Sequence, residues 1–226
     1  MDIKLIAVTP SPDRVIADAA RTCYLSFGNS RPESDGRLIR NLVRLGHHSV
    51  LEHASATFRI RGCTRAFTHQ LVRHRLCAFS QQSQRYVDEK DFQVVVPDSI
   101  RAHPEAYTLF ESVIASVREA YRSFKKLGIP GEDARFVLPN AVTSEIVFSA
   151  NFRQLRHMIS MRGHPKAQWE IRRVFVEILR IMRKLAPLVF GDLEIDEEKE
   201  CVRKVPSDAH ASDGYQDTKA RGSPGV

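Results

Sequence analysis

The sequence predicts a single α+β domain with a mixed or antiparallel sheet, several long helices and a disordered C-terminal tail. Short β-branched segments alternate along the chain with longer segments of helical periodicity. The chain has 226 residues, 42% of them hydrophobic, which suffices for one sizeable core, and residues 1–199 have continuous globular composition. Residues 200–226 are rich in Ser, Gly, Pro and Asp and offer little to bury, so we expect them to form the tail.

Four segments have the β-branched, partly alternating pattern of strands, because side chains of a strand point in turn to opposite faces of a sheet. They are residues 2–8, 56–62, 92–97 and 142–149.

Two amphipathic helices are predicted with glycine at their ends. Apolar residues from Leu38 to Leu45 recur at helical spacing before Gly46, and a longer series from residue 109 to residue 124 precedes Gly128. Residues 132–139 show a short helical pattern that Pro139 stops. The two helices that end at Gly46 and Gly128 are expected to be structural.

Three further helices would carry functional side chains. Asn151 predicts the N-cap of a helix that ends at Arg162, and Pro165 predicts the first turn of a helix that extends to residue 185. If residues 64–75 form a helix, Gln70, Arg73 and His74 lie at positions i, i+3 and i+4 on one face, where they could grip a nucleotide.

The net charge of +7 indicates acidic partners. Arginine rather than lysine dominates the basic clusters, which favours planar, bidentate recognition of phosphate or carboxylate. The two clusters are Arg59, Arg61, Arg65, Arg73, Arg75 and Arg85, and Arg153, Arg156, Arg162, Arg172 and Arg173.

Several other classes of protein are disfavoured. No apolar run approaches the roughly 20 residues of a bilayer span, and residues 1–4 lack the pattern of a secretory signal, so we expect a cytoplasmic protein with no membrane partner. Aromatic residues are sparse in the basic segments, which disfavours a single-strand RNA-binding module. The four cysteines lack C-x-x-C spacing and are expected to be reduced thiols, with Cys77 a buried structural one.

The segment GHHSVLEH, residues 46–53, invites comparison with a zinc site. The zinc-protease helix needs H-E-x-x-H and its inverted form needs two residues between His and Glu-His, whereas three residues separate His48 from Glu52. A polar turn and a ligand-contacting loop both fit this segment better, and no metal is predicted.

Residues 73–86, RHRLCAFSQQSQRY, hold three arginines and a histidine around small polar side chains. Ser and Gln side chains can surround a phosphate while Arg85 supplies charge. The composition alone is equally typical of a solvated basic helix followed by a polar loop. Because G-x-G-x-x-G and Walker A motifs are missing from the sequence, any nucleotide would be bound without those loops.

The spacing within this stretch resembles the signature of the flavin-dependent thymidylate synthases. Arg73-His74-Arg75 is followed after seven residues by Ser83, and Arg85-Tyr86 lies just beyond. Other segments resemble the family in the same order, namely GHHSVLEHASATF (46–58), ARFVLPN (134–140), NFRQLRHMISMR (151–162) and AQWEIR (167–172).

The resemblance implies an enzyme that methylates deoxyuridine monophosphate to thymidylate. Methylenetetrahydrofolate would donate the carbon, FAD would carry hydride and NADPH would be the reductant. The family assembles as a homotetramer with active sites formed between subunits, and the resemblance implies the same here, with no nucleic-acid partner.

The resemblance also implies roles for individual residues. Arg162 would be the catalytic residue that activates the uracil ring, with no protein nucleophile, and Ser83 would bind substrate. The FAD-binding residues would be Ser49, Arg73, His74, Arg75, Gln81, Asn151, Arg153 and His157. The nucleotide-binding residues would be Gln70, Arg73, Gln81, Gln82, Ser83, Gln84, Arg85, Arg135 and Arg162. Many members have Asn-Glu in place of Ser80-Gln81, and Asn in place of His157.

Overall fold

A computed structural model describes residues 1–204 as one α+β unit. The strands of these residues are β1 (Asp2–Val8), β2 (Ser55–Thr64), β3 (Cys77–Gln81), β4 (Thr143–Asn151), β5 (Leu193–Asp196) and β6 (Cys201–Lys204). The α-helices are α1 (Pro12–Thr22), α2 (Pro32–Leu45), α3 (Arg65–Leu71), α4 (Asp98–Arg101), α5 (Pro104–Lys126), α6 (Gly131–Ala134), α7 (Phe152–Arg162), α8 (Trp169–Leu185) and α9 (Pro187–Phe190). Short 3₁₀ turns span Phe27–Asn29, His48–His53 and Arg135–Val137.

The main sheet has the strand order β1-β2-β4-β3, and every neighbouring pair is antiparallel. Side chains of β4 alternate regularly between buried and half-buried. Phe58 of β2 lies opposite Phe148 of β4, and their rings stack with centroids 5.6 Å apart. The predicted α+β fold with an antiparallel sheet is therefore confirmed.

Helices α7 and α8 cover the buried face of this sheet. Phe175 of α8 packs against Phe148 with ring centroids 6.4 Å apart, and Val174, Ile178 and Met182 continue the buried stripe at helical spacing. This arrangement fixes α7, which ends at Arg162, against the largest core of the described residues.

The predicted helix ends near Gly46 and Gly128 and the predicted start of α7 are confirmed. Gly46 and Gly128 take positive φ values of 78° and 81°, a conformation that L side chains rarely adopt. The Asn151 side chain accepts a hydrogen bond of 2.8 Å from the backbone N–H of Gln154, as the predicted N-cap of α7 requires.

The prediction of a strand at residues 92–97 is wrong. Only an isolated bridge joins Val94 to Val142, just before β4. Phe92 and Val94 instead pack with Ile114 of α5 and Val142 in a second, smaller core. The β-branched residues of this segment thus contact a helix rather than continuing the sheet.

A strand that the sequence did not predict, β3, lies at the edge of the sheet beside β4. Its residues belong to the polar stretch 73–86, whose composition gives no strand signal. An edge strand tolerates such residues, since one of its sides has no neighbouring strand and several of its side chains are exposed.

The predicted helix over residues 64–75 is too long. Helix α3 ends at Leu71, so Gln70, Arg73 and His74 do not share one helical face. The chain turns after α3, with the backbone N–H of His74 donating to the carbonyl of Leu71.

The helix predicted to begin near Pro165 begins at Trp169. Gln168 is its N-cap, and the side chain accepts hydrogen bonds from the backbone N–H groups of Glu170 and Ile171. Pro165 lies in the preceding turn, because this side-chain cap sets the first turn of α8 four residues later.

The predicted boundary at residue 199 places β6 in the tail, and for residues 201–204 that prediction is wrong. Cys201 and Val202 are buried, and β6 pairs with β5 from Asp196↔Cys201 to Leu193↔Lys204. Two apolar residues in an otherwise polar stretch were too weak a signal. Residues 205–226 of the predicted tail lie outside the described residues.

Two further features concern the predictions about membrane spans and about the cysteines. Among residues 1–204, no helix is long and apolar enough to cross a membrane. The four cysteines are free thiols, and burial raises the pKa of Cys63 to about 12 and that of Cys77 to about 11.

Candidate active site

One face of α7 lines a cavity of about 740 Å³, which is called the large cavity below. The α7 residues at its wall recur at positions i, i+3, i+4 and i+7, which share one helical face. Its lining residues are His48, Glu52, Leu76, Asn151, Arg153, Gln154, Arg156, His157, Ser160, Leu193 and Lys204.

Three residues predicted to bind FAD line this cavity, namely Asn151, Arg153 and His157. Asn151 is fixed by its capping bond, and the Arg153 guanidinium donates to Glu52 Oε1 at 2.5 Å. Both partners of this ion pair are about half exposed, so the pair can open toward a ligand at low energetic cost. Glu52 was not predicted, although it lies in the GHHSVLEH segment that the resemblance had already marked.

A buried ion pair supports the cavity wall. Arg156 donates to both carboxylate oxygens of Asp192, at 2.6 and 2.7 Å, and also to the carbonyl of Val189. The Arg156 side chain is only 7% exposed. A bidentate pair of this kind fixes the position of α7 relative to the segment that leads into β5.

His48 also lines the cavity, with its Nε2 3.2 Å from the carbonyl oxygen of Val43. Burial is the main reason that its pKa lies below the ordinary value. At neutral pH this imidazole therefore adds no charge to the cavity.

Arg162 and His74 are in direct contact. Arg162 Nε donates to His74 Nε2 at 2.9 Å, and its second terminal nitrogen donates to the carbonyl of Gln70 at 3.4 Å. The His74 ring meets the ring of His157 edge-on, with centroids 6.1 Å apart. The predicted catalytic arginine is thus linked through His74 to a residue of the large cavity.

Burial, together with the contact to Arg162, keeps His74 neutral. Burial, then the charge of Arg162 and then His157 lower the pKa of His74 to about 4. Because Nε2 accepts a hydrogen bond from Arg162, the proton of the neutral ring resides on Nδ1. A neutral imidazole is therefore the acceptor that orients the guanidinium.

The small cavity, of about 230 Å³, lies at α3 and the 3₁₀ turn Arg135–Val137. Its lining residues are Arg65, His69, Gln84, Arg135, Phe136, Leu138, Pro139 and Asn140. Burial and the nearby charge of Arg135 lower the pKa of Arg65. Two guanidiniums that repel each other across one cavity favour an anionic ligand between them.

Helix α3 is held in place from beneath by a buried carboxylate. Glu170 of α8 accepts hydrogen bonds from the backbone N–H of Thr64 at 2.8 Å and from its hydroxyl at 2.6 Å. Thr64 in turn caps α3, accepting from the backbone N–H of Phe67. This network positions Arg65 and His69, which are the first and fifth residues of α3.

Gln81, the last residue of β3, and Gln82, which follows it, make contacts within the chain. Gln81 donates to the hydroxyls of Thr68 and Ser144, at 3.0 and 3.3 Å, and Gln82 donates to Glu89 at 3.0 Å. These amide groups keep their carbonyl oxygens for a ligand.

Ser83 and Arg85 form a turn beside α6. The Ser83 hydroxyl accepts from the backbone N–H of Arg85 at 3.3 Å, and the Arg85 guanidinium pairs with Glu132 at 2.9 Å. A Cβ at Gly131 would lie 2.9 Å from the carbonyl oxygen of Arg85, so only glycine allows this close approach. Arg85 is exposed and could exchange Glu132 for a phosphate.

The structure does not bring all predicted site residues together. Ser49 is exposed and is not part of the wall of the large cavity, where His48 stands instead. Arg73 and Arg75 are exposed and form no ion pair within residues 1–204. Gln84 and Arg135 line the small cavity, whereas Asn151, Arg153 and His157 line the large one.

Several residues of these cavities were missed. Arg65 and His69 had a signal, since they are four residues apart in a predicted helix and so share a face. Asp192 and Lys204 had none, because their place depends on contacts between distant segments. No three His, Cys, Asp or Glu side chains between Met1 and Lys204 are grouped to hold a metal ion.

Comparison with known proteins covers most of the chain. Residues 4–188 match the family model described as thymidylate synthase complementing protein. The flavin-dependent thymidylate synthase of Geobacter sulfurreducens is 46% identical over 200 residues, which are 85% of this chain and 86% of that protein. That of Nitratidesulfovibrio vulgaris is 42% identical over 208 residues, which are 84% and 85% of the two chains.

A similar fold is found in a solved structure. The crystal structure of thymidylate synthase X from Helicobacter pylori with FAD and dUMP has a TM-score of 0.73 and 22% sequence identity. The match covers 85% of this chain and 98% of that one. At this identity the similarity concerns the fold.

Proposed function

Because this chain belongs to the flavin-dependent thymidylate synthase family, we propose that it methylates deoxyuridine monophosphate to thymidylate. FAD is the cofactor, methylenetetrahydrofolate donates the carbon and NADPH is the reductant. The observation that carries the proposed mechanism is the hydrogen bond from Arg162 to His74, because it links the guanidinium to the wall of the large cavity.

The large cavity fits a flavin dinucleotide in size and chemistry. Its volume of about 740 Å³ lies within the range of small-molecule sites, and its wall offers guanidinium, amide and imidazole donors. When bound, FAD would supply hydride transfer. The residues proposed to hold it here are Asn151, Arg153 and His157, with Ser49, Arg73, His74, Arg75 and Gln81 completing the set.

The small cavity supplies groups that suit the nucleotide. Gln84 and Arg135 line it, and Arg65 adds a second guanidinium. We assign Gln70, Arg73, Gln81, Gln82, Ser83 and Arg85 to the same substrate. Bidentate hydrogen bonds from arginine to phosphate oxygens would fix its orientation.

Arg162 activates the uracil ring in this proposal. Its planar guanidinium can donate two parallel hydrogen bonds to the edge of the pyrimidine, where charge develops as the C5 carbon becomes nucleophilic. His74 accepts from Arg162 Nε and leaves the terminal nitrogens directed elsewhere. The neutral ring orients the guanidinium without cancelling its charge.

Two of the chain's four thiols, those of Cys63 and Cys77, are poor candidates for a protein nucleophile. Burial raises the pKa of Cys77 to about 11 and that of Cys63 to about 12, so neither forms a thiolate readily at neutral pH. The Ser83 hydroxyl accepts from a backbone N–H of its own turn and contacts no histidine or carboxylate of the described residues. Phosphate binding suits it better than covalent catalysis.

We further propose a homotetramer in the cytoplasm, without nucleic-acid or membrane partners. In one chain the proposed flavin and nucleotide residues line separate cavities, and an active site shared between subunits would unite them. Helix α5 exposes apolar residues suited to a subunit contact, which include Tyr107, Leu109 and Val113.

The proposal is tested by anaerobic turnover of deoxyuridine monophosphate with methylenetetrahydrofolate and NADPH, with and without added FAD. We expect thymidylate to form in an FAD-dependent reaction. The proposal would be contradicted if flavin-free protein formed thymidylate at the same rate with and without added FAD. It would also be contradicted if the FAD-bound protein formed no thymidylate. Sedimentation velocity of the same sample measures the assembly.

A further inference from the structure

The β5–β6 hairpin lies beyond residues 4–188, the segment that matches the family model. It nevertheless supplies two residues of the wall of the large cavity, Leu193 and Lys204. These residues are paired across the open end of the hairpin. This chain therefore builds part of the cavity from a segment that the family comparison does not assign.

Contacts on both strands fix the hairpin against α7. The backbone N–H of Val202 donates to the carbonyl of Gly163 at 2.7 Å, and a Cβ at Gly163 would overlap with the Val202 side chain. Just before β5, Asp192 is held by both terminal nitrogens of Arg156. Lys204 is thus carried to the cavity by a docked strand.

Of the arginine and lysine side chains that line the large cavity, Lys204 is the one without a carboxylate partner among residues 1–204. Arg153 is paired with Glu52, and Arg156 is paired with Asp192. Within residues 1–204 Lys204 has no carboxylate partner. A ligand of the large cavity consequently meets one excess positive charge at this end.

We propose that Lys204 binds a phosphate group of FAD at the rim of the large cavity. The inference rests on the proposed function, which places FAD in this cavity. A phosphate is the charged part of that molecule, and an exposed ammonium on a flexible stem can reach it without the fixed geometry that a guanidinium imposes.

The test is a titration of the flavin-free full chain with FAD, in which flavin fluorescence measures binding. We expect Lys204→Gln to raise the Kd about threefold to tenfold, as for one partly solvated charge-assisted contact. Lys204→Arg should restore affinity. Lys184→Gln is the matched control, because Lys184 is an exposed lysine on α8 away from the cavity.

Two further measurements separate charge from structure. The difference between the original chain and Lys204→Gln should shrink as salt is raised, because exposed charges are screened. Riboflavin, which has no phosphate, should bind both proteins equally, and their thermal unfolding should coincide.

The outcomes distinguish this inference from the function on which it rests. If the original chain binds FAD and Lys204→Gln binds it with the same Kd at low salt, the inference is wrong and the function stands. Equal loss of riboflavin binding would mean that the strand, not its charge, is needed, which also overturns it. Failure of the original chain to bind FAD overturns both.

Discussion

An arginine–carboxylate ion pair lies at the wall of the large cavity, and another lies next to the small cavity, in different surroundings. At the large cavity, Arg156 and Asp192 have side chains that are 7% and 25% exposed, and they rest on the main core. Next to Gln84 of the small cavity, the side chains of Arg85 and Glu132 are 51% and 49% exposed. Burial therefore makes one pair a structural support and leaves the other open to exchange.

The difference follows from solvent. A buried ion pair that loses one partner leaves a desolvated charge, which is costly, whereas an exposed charge is readily hydrated when its partner leaves. We infer that the part of the large cavity around Arg156 is preorganised and that Arg85 on the proposed nucleotide side can change partners. The following experiments would break or sharpen this contrast.

The largest effect is expected for Asp192→Ala. Removing the carboxylate leaves the buried Arg156 guanidinium without its bidentate partner, which should lower the free energy of unfolding by about 3 to 5 kcal/mol. Urea denaturation measures it. If the free energy of unfolding falls by less than about 1 kcal/mol, this pair contributes no more than an exposed pair such as Arg85–Glu132, and the contrast is wrong.

Arg162→Lys should impair chemistry more than binding. Lysine cannot donate to His74 and to a pyrimidine edge in the fixed planar geometry of arginine, so the chemical step should slow by a factor on the order of 100 to 1000. Single-turnover oxidation of the pre-reduced flavin by nucleotide plus folate measures that step. A near-normal rate would remove the activating role, and loss of FAD binding would make Arg162 a flavin-binding or structural residue.

His74 should make stability depend on pH. Its pKa falls from the ordinary 6.5 to about 4 in the fold, so below about pH 6.5 the unfolded chain takes up a proton that the folded chain does not. The free energy of unfolding should therefore decrease as pH falls from 6.5 toward 4, by about 1 to 2 kcal/mol at about pH 5 from this group alone.

The matched variant for this effect is His74→Gln, which cannot titrate. Urea denaturation of both proteins between about pH 7 and pH 5 should show a smaller decrease for the variant. Parallel curves would mean that His74 takes up a proton equally in the folded and unfolded chains.

Glu132→Gln should have the smallest effect on stability. The pair with Arg85 is exposed, so its loss should change the free energy of unfolding by less than about 1 kcal/mol. Freed from its carboxylate, Arg85 should bind the nucleotide phosphate at least as well as before. Calorimetric titration with deoxyuridine monophosphate measures this, and weaker binding would show that Glu132 positions Arg85 for the ligand.

Local signals predicted the parts of the fold that local interactions decide. The Asn151 cap, the glycine ends at Gly46 and Gly128, and the alternation in β2 and β4 were all readable, because each depends on a few neighbouring residues. The local signal was misleading at Val94. Its β-branched side chain predicted a strand, but it packs on a helix and forms only an isolated bridge among the described residues.

The candidate site was predictable in its residue types but less so in its arrangement. The resemblance pointed to Asn151, Arg153 and His157, and the structure places these three along one cavity. The resemblance gave no indication that Arg162 contacts His74, because they are 88 positions apart in the sequence and only tertiary packing brings them together. The hairpin that carries Lys204 was missed for the same reason.

The β5–β6 hairpin also comes last in the described part of the chain, which matters during synthesis on the ribosome. Strands β1, β2, β3 and β4 have all their pairing partners once residue 151 has been made, so the sheet can form early. The face of α7 then lacks the cover of Leu193 and Lys204 until β6 is translated. Translation order therefore supplies every strand of the main sheet before it supplies the last residues of the wall of the large cavity.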